Sequence, residues 1–322
     1  LYKADDPRKD GAYTIFYMGI NAGAFLGILL CGYLGEKVGW HYGFGLAGIF
    51  MFFGMLQFYF AQGIFGSIGV KPSKKSNTSN SNENAVKVSS DANHKKIVRD
   101  RIFVIVIFSI ATIFFWWAFE QAGGSMTIFA NDYTNRELSG NSAVIFNTIN
   151  TVITIVPMVV ITYVLIKLFQ NIFQSYFISN FFLGLSFVII WGIVIYMLNA
   201  EIGQETSEIP ASWFSVLNSL FIILLAPVFS KIWASKYNPS GPIKFGIGLI
   251  LLGVGYLFVA YGSWGIPAGA QTASVSVMWL VYAYLFHTLG ELCLSPVGLS
   301  YVSKLAPERL IGLMFGIWLL SS

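Results

Sequence analysis

Apolar residues in this chain come in blocks of about 20, separated by short polar turns. A soluble helix would instead alternate an apolar stripe with a polar face. A block of about 20 residues, rising 1.5 Å each, covers about 30 Å of hydrocarbon, so each block reads as a membrane-spanning helix. The pattern predicts eight complete spans and the start of a ninth, at about 12–34, 42–65, 102–129, 143–166, 176–198, 212–233, 243–262, 276–302 and 310 onward. The fold class is therefore all-α, a polytopic membrane helical bundle.

Composition agrees. Hydrophobic residues make up 56% of the chain and charged residues 11%, against about 25% charged in a soluble domain. The position of the charges adds more than their number. With the polar turns assigned alternately, starting inside, the inside holds 17 of the 19 Lys and Arg, and the outside only Lys37 and Arg136. This obeys the positive-inside rule and supports the span count. The outer segment Glu201–Glu208 is acidic. The basic residues orient the chain, so they do not point to nucleic acid.

The sharpest change of composition is at residues 66–101, rich in Ser, Asn and Lys and ending Lys95-Lys96-Ile97-Val98-Arg99-Asp100-Arg101. It reads as a flexible basic cytoplasmic linker between two helical bundles. Gly19, Gly23 and Gly27 recur every four residues, a stripe expected to let a neighbouring helix approach closely. Pro157, Pro227 and Pro296 fall inside spans and are expected to kink them. Cys31 and Cys293 lie in separate spans and read as packing residues, with no disulfide framework or metal site. No cofactor is expected. The chain opens on Leu1 and stops at Ser322 within an apolar run, so we expect a fragment of a longer protein.

Against this background a few polar residues carry chemistry. Glu291 is the one formal charge between Lys244 and Lys304, and a carboxylate within a spanning helix is costly unless partnered. One that gains and loses a cationic partner can take up and release a proton. His287 lies one helical turn earlier, expected as a hydrogen-bonded packing histidine that could instead share the proton. Glu120, in Phe119-Glu120-Gln121-Ala122-Gly123, should lie toward the outer side and suits a gate. Asn218 and Asn21 are amides within spans, either substrate ligands or interhelical hydrogen bonds. No Walker loop, HExxH, CxxC pair or GxSxG is present, so an ATP-driven pump or membrane hydrolase has no visible machinery and the chain is not expected to be an enzyme.

Several motifs occur together: Phe16-Tyr17-Met18-Gly19-Ile20-Asn21-Ala22-Gly23 after Asp6-Pro7-Arg8-Lys9-Asp10, Phe119–Gly123, Pro210-Ala211-Ser212-Trp213-Phe214 through Asn218, Gly290-Glu291-Leu292 through Ser295-Pro296-Val297-Gly298-Leu299-Ser300, and Gly312–Trp318. In order and content they resemble the proton-dependent oligopeptide transporter family, within the major facilitator superfamily. The resemblance implies two six-helix bundles around a central cavity that opens alternately to each side. Residues 1–65 would be helices five and six at the end of the N-terminal bundle. Residues 66–101 would be the linker, and 102–322 the C-terminal bundle from helix seven to the start of eleven. An extra helix pair at about 143–198 is expected to pack outside that bundle.

The resemblance also implies roles. Asn21, Asn218, Glu291, Trp318 and Ser322 would bind substrate. Glu291 would receive the peptide amino group and couple protons, and Glu120 would form an outer-gate salt bridge with a first-helix arginine. The family's first-helix ExxER-type motif and fourth-helix lysine do not occur in this sequence. The implied activity is proton-coupled symport of di- and tripeptides across the cytoplasmic (inner) membrane. The partners would be peptides, protons and the lipid bilayer, with no nucleic acid, and the protein would act as a monomer. Two other readings stay open: a same-family transporter of nitrate or another small solute, and a non-transporting receptor or scaffold with Glu291 in a static ion pair.

Overall fold

The computed structural model describes residues 9–66, 92–201, 204, 206–306 and 310–321. Over these the chain forms α1 (Lys9–Lys37), α2 (Trp40–Ala61), α3 (Ala92–Phe119), α4 (Ser125–Asp132), α5 (Asn141–Ile172), α6 (Phe177–Glu201), α7 (Trp213–Ala234), α8 (Gly241–Gly262), α9 (Met278–Leu305) and α10 (Ile311–Ser321). Every expected span falls on one of these helices, except that 42–65 ends in a 3-10 turn at Gln62–Phe65 and 102–129 is divided between α3, a 3-10 turn at Glu120–Gly123, and α4. Seven stretches among the described residues are long and apolar enough to cross a membrane. The other two expected spans are α9, which carries Glu291, and the shorter α10.

The expected linker needs a correction at its end. α3 begins at Ala92, so 92–101 is helical and only 67–91 lies outside the described residues. Hydropathy marks where apolar residues begin, not where a helix begins, and Lys and Arg are good helix formers. α5, α7 and α9 continue through Pro157, Pro227 and Pro296 respectively.

Two apolar cores organise the bundle. The first joins α1, α5, α6, α7 and the start of α9 through residues such as Phe25, Met158, Val194, Phe214 and Leu280. The second joins α3, α8, α10 and the rest of α9 through Phe115, Phe245, Leu294 and Trp318. Glu291 therefore lies where α9 passes from one core to the other. The extra pair, α5 and α6, packs with α6 against α2 and α1.

The helices approach most closely at glycines that the four-residue stripe did not identify. A Cβ on Gly19, Gly23 or Gly27 would meet nothing within 4 Å, so that stripe is open among the described residues. The close approach is on α8. Gly241, Gly248, Gly255 and Gly262 recur every seven residues, close to two helical turns, and form one seam. A Cβ on Gly248 would lie 2.9 Å from the Gly290 carbonyl, and one on Gly290 would lie 2.7 Å from the Gly248 carbonyl. Gly241 faces Tyr301, Gly255 faces His287, and Gly262 faces Trp279. Small residues in such a seam let two backbones meet where hydrocarbon offers no hydrophobic drive.

Short strands join the connections at one end. β1 (Thr134–Asn135) pairs in parallel with β4 (Val275–Ser276), and β2 (Glu137–Ser139) pairs antiparallel with β3 (Thr206–Glu208). The two basic residues assigned to the outside meet here on one carboxylate: Lys37 Nζ and Arg136 Nη1 each lie 3.0 Å from Glu208. Residues from three separate connections thus share one end, as the alternating topology requires. The hydrogen bond from Lys37, with Arg136 beside it, holds the Glu208 carboxyl below the usual glutamate range. A lowered folded-state value means that the stabilisation is present above about pH 4.3 and is lost as pH falls through the lowered value. Glu208 is half exposed, so the contribution should stay under about 1 kcal/mol. We expect Glu208→Gln to lower the thermal midpoint slightly at pH 7 and low salt. The difference from the parent should vanish at pH 3 or in molar salt; a difference that persists in acid would contradict this origin.

Glu36 closes the same end differently. Its two carboxylate oxygens accept the backbone N–H groups of Ala211 and Ser212, each at 2.9 Å, at the start of α7. An anion there satisfies donors that the helix itself cannot, and complements its dipole. Gly32, one turn earlier on α1, leaves room for Ser212. Glu36→Ala should cost about 1–2 kcal/mol, read as the thermal midpoint in detergent.

Candidate functional site

α7 and α9 pack side by side, and each presents polar residues at helical spacing. On α7 these are Ser215 and Asn218, three apart. On α9 they are Tyr284, Thr288 and Glu291, four and three apart. Such spacing puts each set on one helical face. The faces meet. Asn218 Nδ2 donates to Glu291 Oε2 at 3.0 Å and to Thr288 Oγ1 at 3.1 Å. The Thr288 hydroxyl donates in turn to the Tyr284 carbonyl at 2.7 Å. The hydroxyls of Ser215 and Tyr284 lie 3.3 Å apart.

This network is deep. Glu291 is 8% exposed, Thr288 is fully buried, and Asn218 is half-buried. A buried carboxylate is tolerated when its lone pairs are engaged, and Asn218 engages one of its oxygens. Both amide hydrogens of Asn218 are directed at α9, and its carbonyl oxygen remains as an acceptor.

The network reaches the break between α3 and α4. Tyr284 Oη donates to the Ala122 carbonyl at 3.4 Å, and Thr127 Oγ1 donates to the same oxygen at 2.8 Å. The 3-10 turn that carries Glu120 is thereby fixed to α9. Glu120 itself is exposed, and it forms no ion pair with another described residue.

Of the other expected site residues, Asn21 is buried on α1, which packs against α7. Trp318 belongs to the second core, packed over Gly298 and edge-on to Phe245 at 6.1 Å. Ser322 lies outside the described residues. Cys31 and Cys293 are free thiols, and the described residues include no His, Cys, Asp and Glu group that could hold a metal ion.

His287 departs from expectation. It is 1% exposed, yet neither ring nitrogen has a hydrogen-bond partner among the described residues. It is held by Gly255 and by rings: Tyr256 at 4.6 Å, with Phe119 and Tyr284 each at 6.3 Å. Reading His287 as a hydrogen-bonded packing residue is therefore half right. The seam glycine Gly255 makes the space that the ring fills.

Sequence reasoning missed Ser215, Thr288 and Tyr284. The available signal was the three- and four-residue spacing from Asn218 and Glu291, which places any polar neighbour on the same face.

Comparison with known proteins bears on the family and the fold. A family model described as the POT family matches residues 1–98 and 189–322. The unmatched stretch holds α3 from Arg99 on, α4, α5 and the first half of α6. The chain is 30% identical over 376 residues to a peptide transporter, YePEPT, of Yersinia enterocolitica, covering all of this chain and 60% of that protein. It is 30% identical over 335 residues to a di-/tripeptide transporter of Lactococcus lactis subsp. cremoris, covering all of this chain and 61% of that protein. A crystal structure of a peptide transporter POT in complex with sulfate superposes with a TM-score of 0.59 at 24% identity, covering 99% of this chain and 60% of that one. That likeness bears on the fold. The chain thus spans about 60% of the length of the curated relatives it matches.

Proposed function

The chain belongs to the POT family and is a multi-pass membrane protein, and on that premise we propose that it supplies the substrate-amine site of a proton-coupled importer of di- and tripeptides. The observation that carries the proposal is the buried Glu291–Asn218 pair, 3.0 Å apart across two helices. A peptide ammonium has three donors. Glu291 offers a charged acceptor, and Asn218 a neutral one in its carbonyl oxygen. Nitrate, or any substrate with no cationic end, would gain nothing from that carboxylate.

Proton coupling follows from the same group. Ionised and paired with an ammonium, Glu291 is neutralised by its substrate. Once the ammonium leaves, a proton can take its place on the carboxylate. A site that must be neutral before the helices can rearrange ties substrate movement to proton movement. Asn21 on α1 would face the peptide from the other bundle, and Trp318 with Ser322 would wall off its side chains. Glu120, exposed at the α3–α4 break, would form the outer-gate ion pair. Residues 9–61 would be helices five and six of the N-terminal bundle, and α3 onward the C-terminal bundle. The membrane would be the cytoplasmic one, and the working unit a monomer.

The test is uptake of labelled dialanine into proteoliposomes that hold the intact protein, with and without an inward proton gradient. Gradient-dependent accumulation, competed by unlabelled dipeptide, is the expected result. Binding without accumulation would favour a receptor, and competition by nitrate alone would favour an anion transporter.

A further inference from the structure

The helix pair α5–α6 has one attachment through the chain and another through packing. Its two ends are zipped together. Glu137, Leu138 and Ser139 pair with Glu208, Ser207 and Thr206, so residues 140–205 leave and return at a single point. That point lies between α4 and α7, on the C-terminal side of the molecule. The packing lies elsewhere. α6 runs antiparallel to α2: Ser179 Oγ donates to the Gln57 carbonyl at 3.1 Å, and Phe182 lies 6.0 Å from Phe53 and 6.1 Å from Phe60. Farther along, Val194, Met197 and Leu198 of α6 share a core with Leu29, Leu30 and Tyr33 of α1.

We propose that the α5–α6 pair is a strap between the two bundles, carried with α1 and α2 and anchored to the other bundle at its β2–β3 base, beside which Phe146 of α5 meets Trp213 of α7 at 6.2 Å. This rests on the alternating-access reading above. If the bundles rock about the site, a helix packed on one and tethered to the other must yield somewhere. The α6–α2 contact runs over several turns with interlocked rings and a hydrogen bond. The base is three residue pairs wide with one ring contact, Phe146 against Trp213, beside it, so the base yields. Glu208 sits at that base, holding Lys37 of α1 and Arg136 of the α4–α5 connection on one carboxylate. The strap and this charge cluster together resist separation of the bundles at the Lys37 end.

The test measures the distance between spin labels on Val38, after α1, and Trp264, after α8, with Cys31 and Cys293 replaced by alanine in the intact protein. Both label sites are exposed. One variant replaces residues 140–205 with an Asn-Gly turn, which fits because Ser139 and Thr206 are already paired. A second variant keeps the pair and removes its clasp: Ser179→Ala, Phe182→Ala and Glu208→Gln. Two distance populations are expected in the parent, with the long-to-short ratio rising several-fold in both variants. An unchanged ratio in either folded variant, with both populations still present, would overturn the strap alone. A single distance under every condition, with and without dialanine and at acid and neutral pH, would overturn the rocking reading and the strap with it.

Discussion

Gly248→Leu will push α8 off α9 and lower the thermal midpoint of the detergent-solubilised protein sharply, while Gly253→Leu on the same helix will leave it nearly unchanged. The contrast is set by what each new Cβ meets. At Gly248 it meets the Gly290 carbonyl at 2.9 Å, with the Cβ atoms of Leu294 and Cys293 at 3.4 and 3.6 Å. A backbone carbonyl cannot rotate away, so the helices must separate. At Gly253 nothing lies within 4 Å. Overpacking costs about 1–3 kcal/mol at an ordinary core position. Here separation also loosens the neighbouring contacts of the seam, so about 3 kcal/mol or more is expected. The seam adjoins the site: Gly290 precedes Glu291, and Gly255 shapes the His287 pocket. A weakened Gly248→Leu protein that still folds should therefore also bind peptide less well. Equal midpoints for the two variants would show that the seam does not hold α8 to α9.

What the sequence disclosed follows from how strongly the bilayer constrains it. Spans were legible because little besides a bilayer crossing calls for an apolar run of that length, and sidedness because Lys and Arg sort strongly. Glu291 and Asn218 were legible because polar groups are few on apolar helices. Their direct hydrogen bond was not, since it depends on the relative rotation of α7 and α9. Thr288 and Tyr284 stayed hidden for a related reason: hydroxyls are common in spans, and what singles these two out is that they face Asn218 and Ser215 across the helix contact. The glycine stripe of α1 finds no neighbour among the described residues. Gly19, Gly23 and Gly27 have the familiar four-residue spacing, yet nothing described packs on them, whereas the α8 glycines repeat every seven and line the most extensive helix contact. Spacing shows that a smooth stripe exists, not which neighbour uses it. The zipped base of α5–α6 was also unreadable, because strands of two or three residues leave no pattern. The relatives add the family, but the unmatched stretch 99–188 includes most of α3, so the proposal that it is helix seven rests on Phe119–Gly123 and on its packing against α8, α9 and α10.

On the proposed symport reading, Glu291→Gln in the intact protein will abolish proton-driven accumulation of dialanine while leaving the protein folded. Glutamine has the same shape, and its side-chain carbonyl can still accept the Asn218 amide, so the α7–α9 contact at 3.0 Å survives. What is lost is the charge. An ammonium that paired with a carboxylate now meets only neutral acceptors, and no group at this position can gain or lose a proton. Removing a charged partner from a buried site costs several kcal/mol, so uptake should fall by about 100-fold or more. Asn218→Ala should behave differently. It removes both bonds to α9 and the neutral acceptor but keeps the carboxylate, so KM should rise about tenfold with gradient dependence retained. The pair of variants separates binding from coupling. Asn218→Ala would change affinity under any gradient, whereas Glu291→Gln would remove the response to the gradient itself. Undiminished accumulation in Glu291→Gln would take the carboxylate out of the mechanism. The buried Asn218–Thr288–Tyr284 network would then stand as interhelical packing, and the coupling proton would have to be carried by another group of the intact protein.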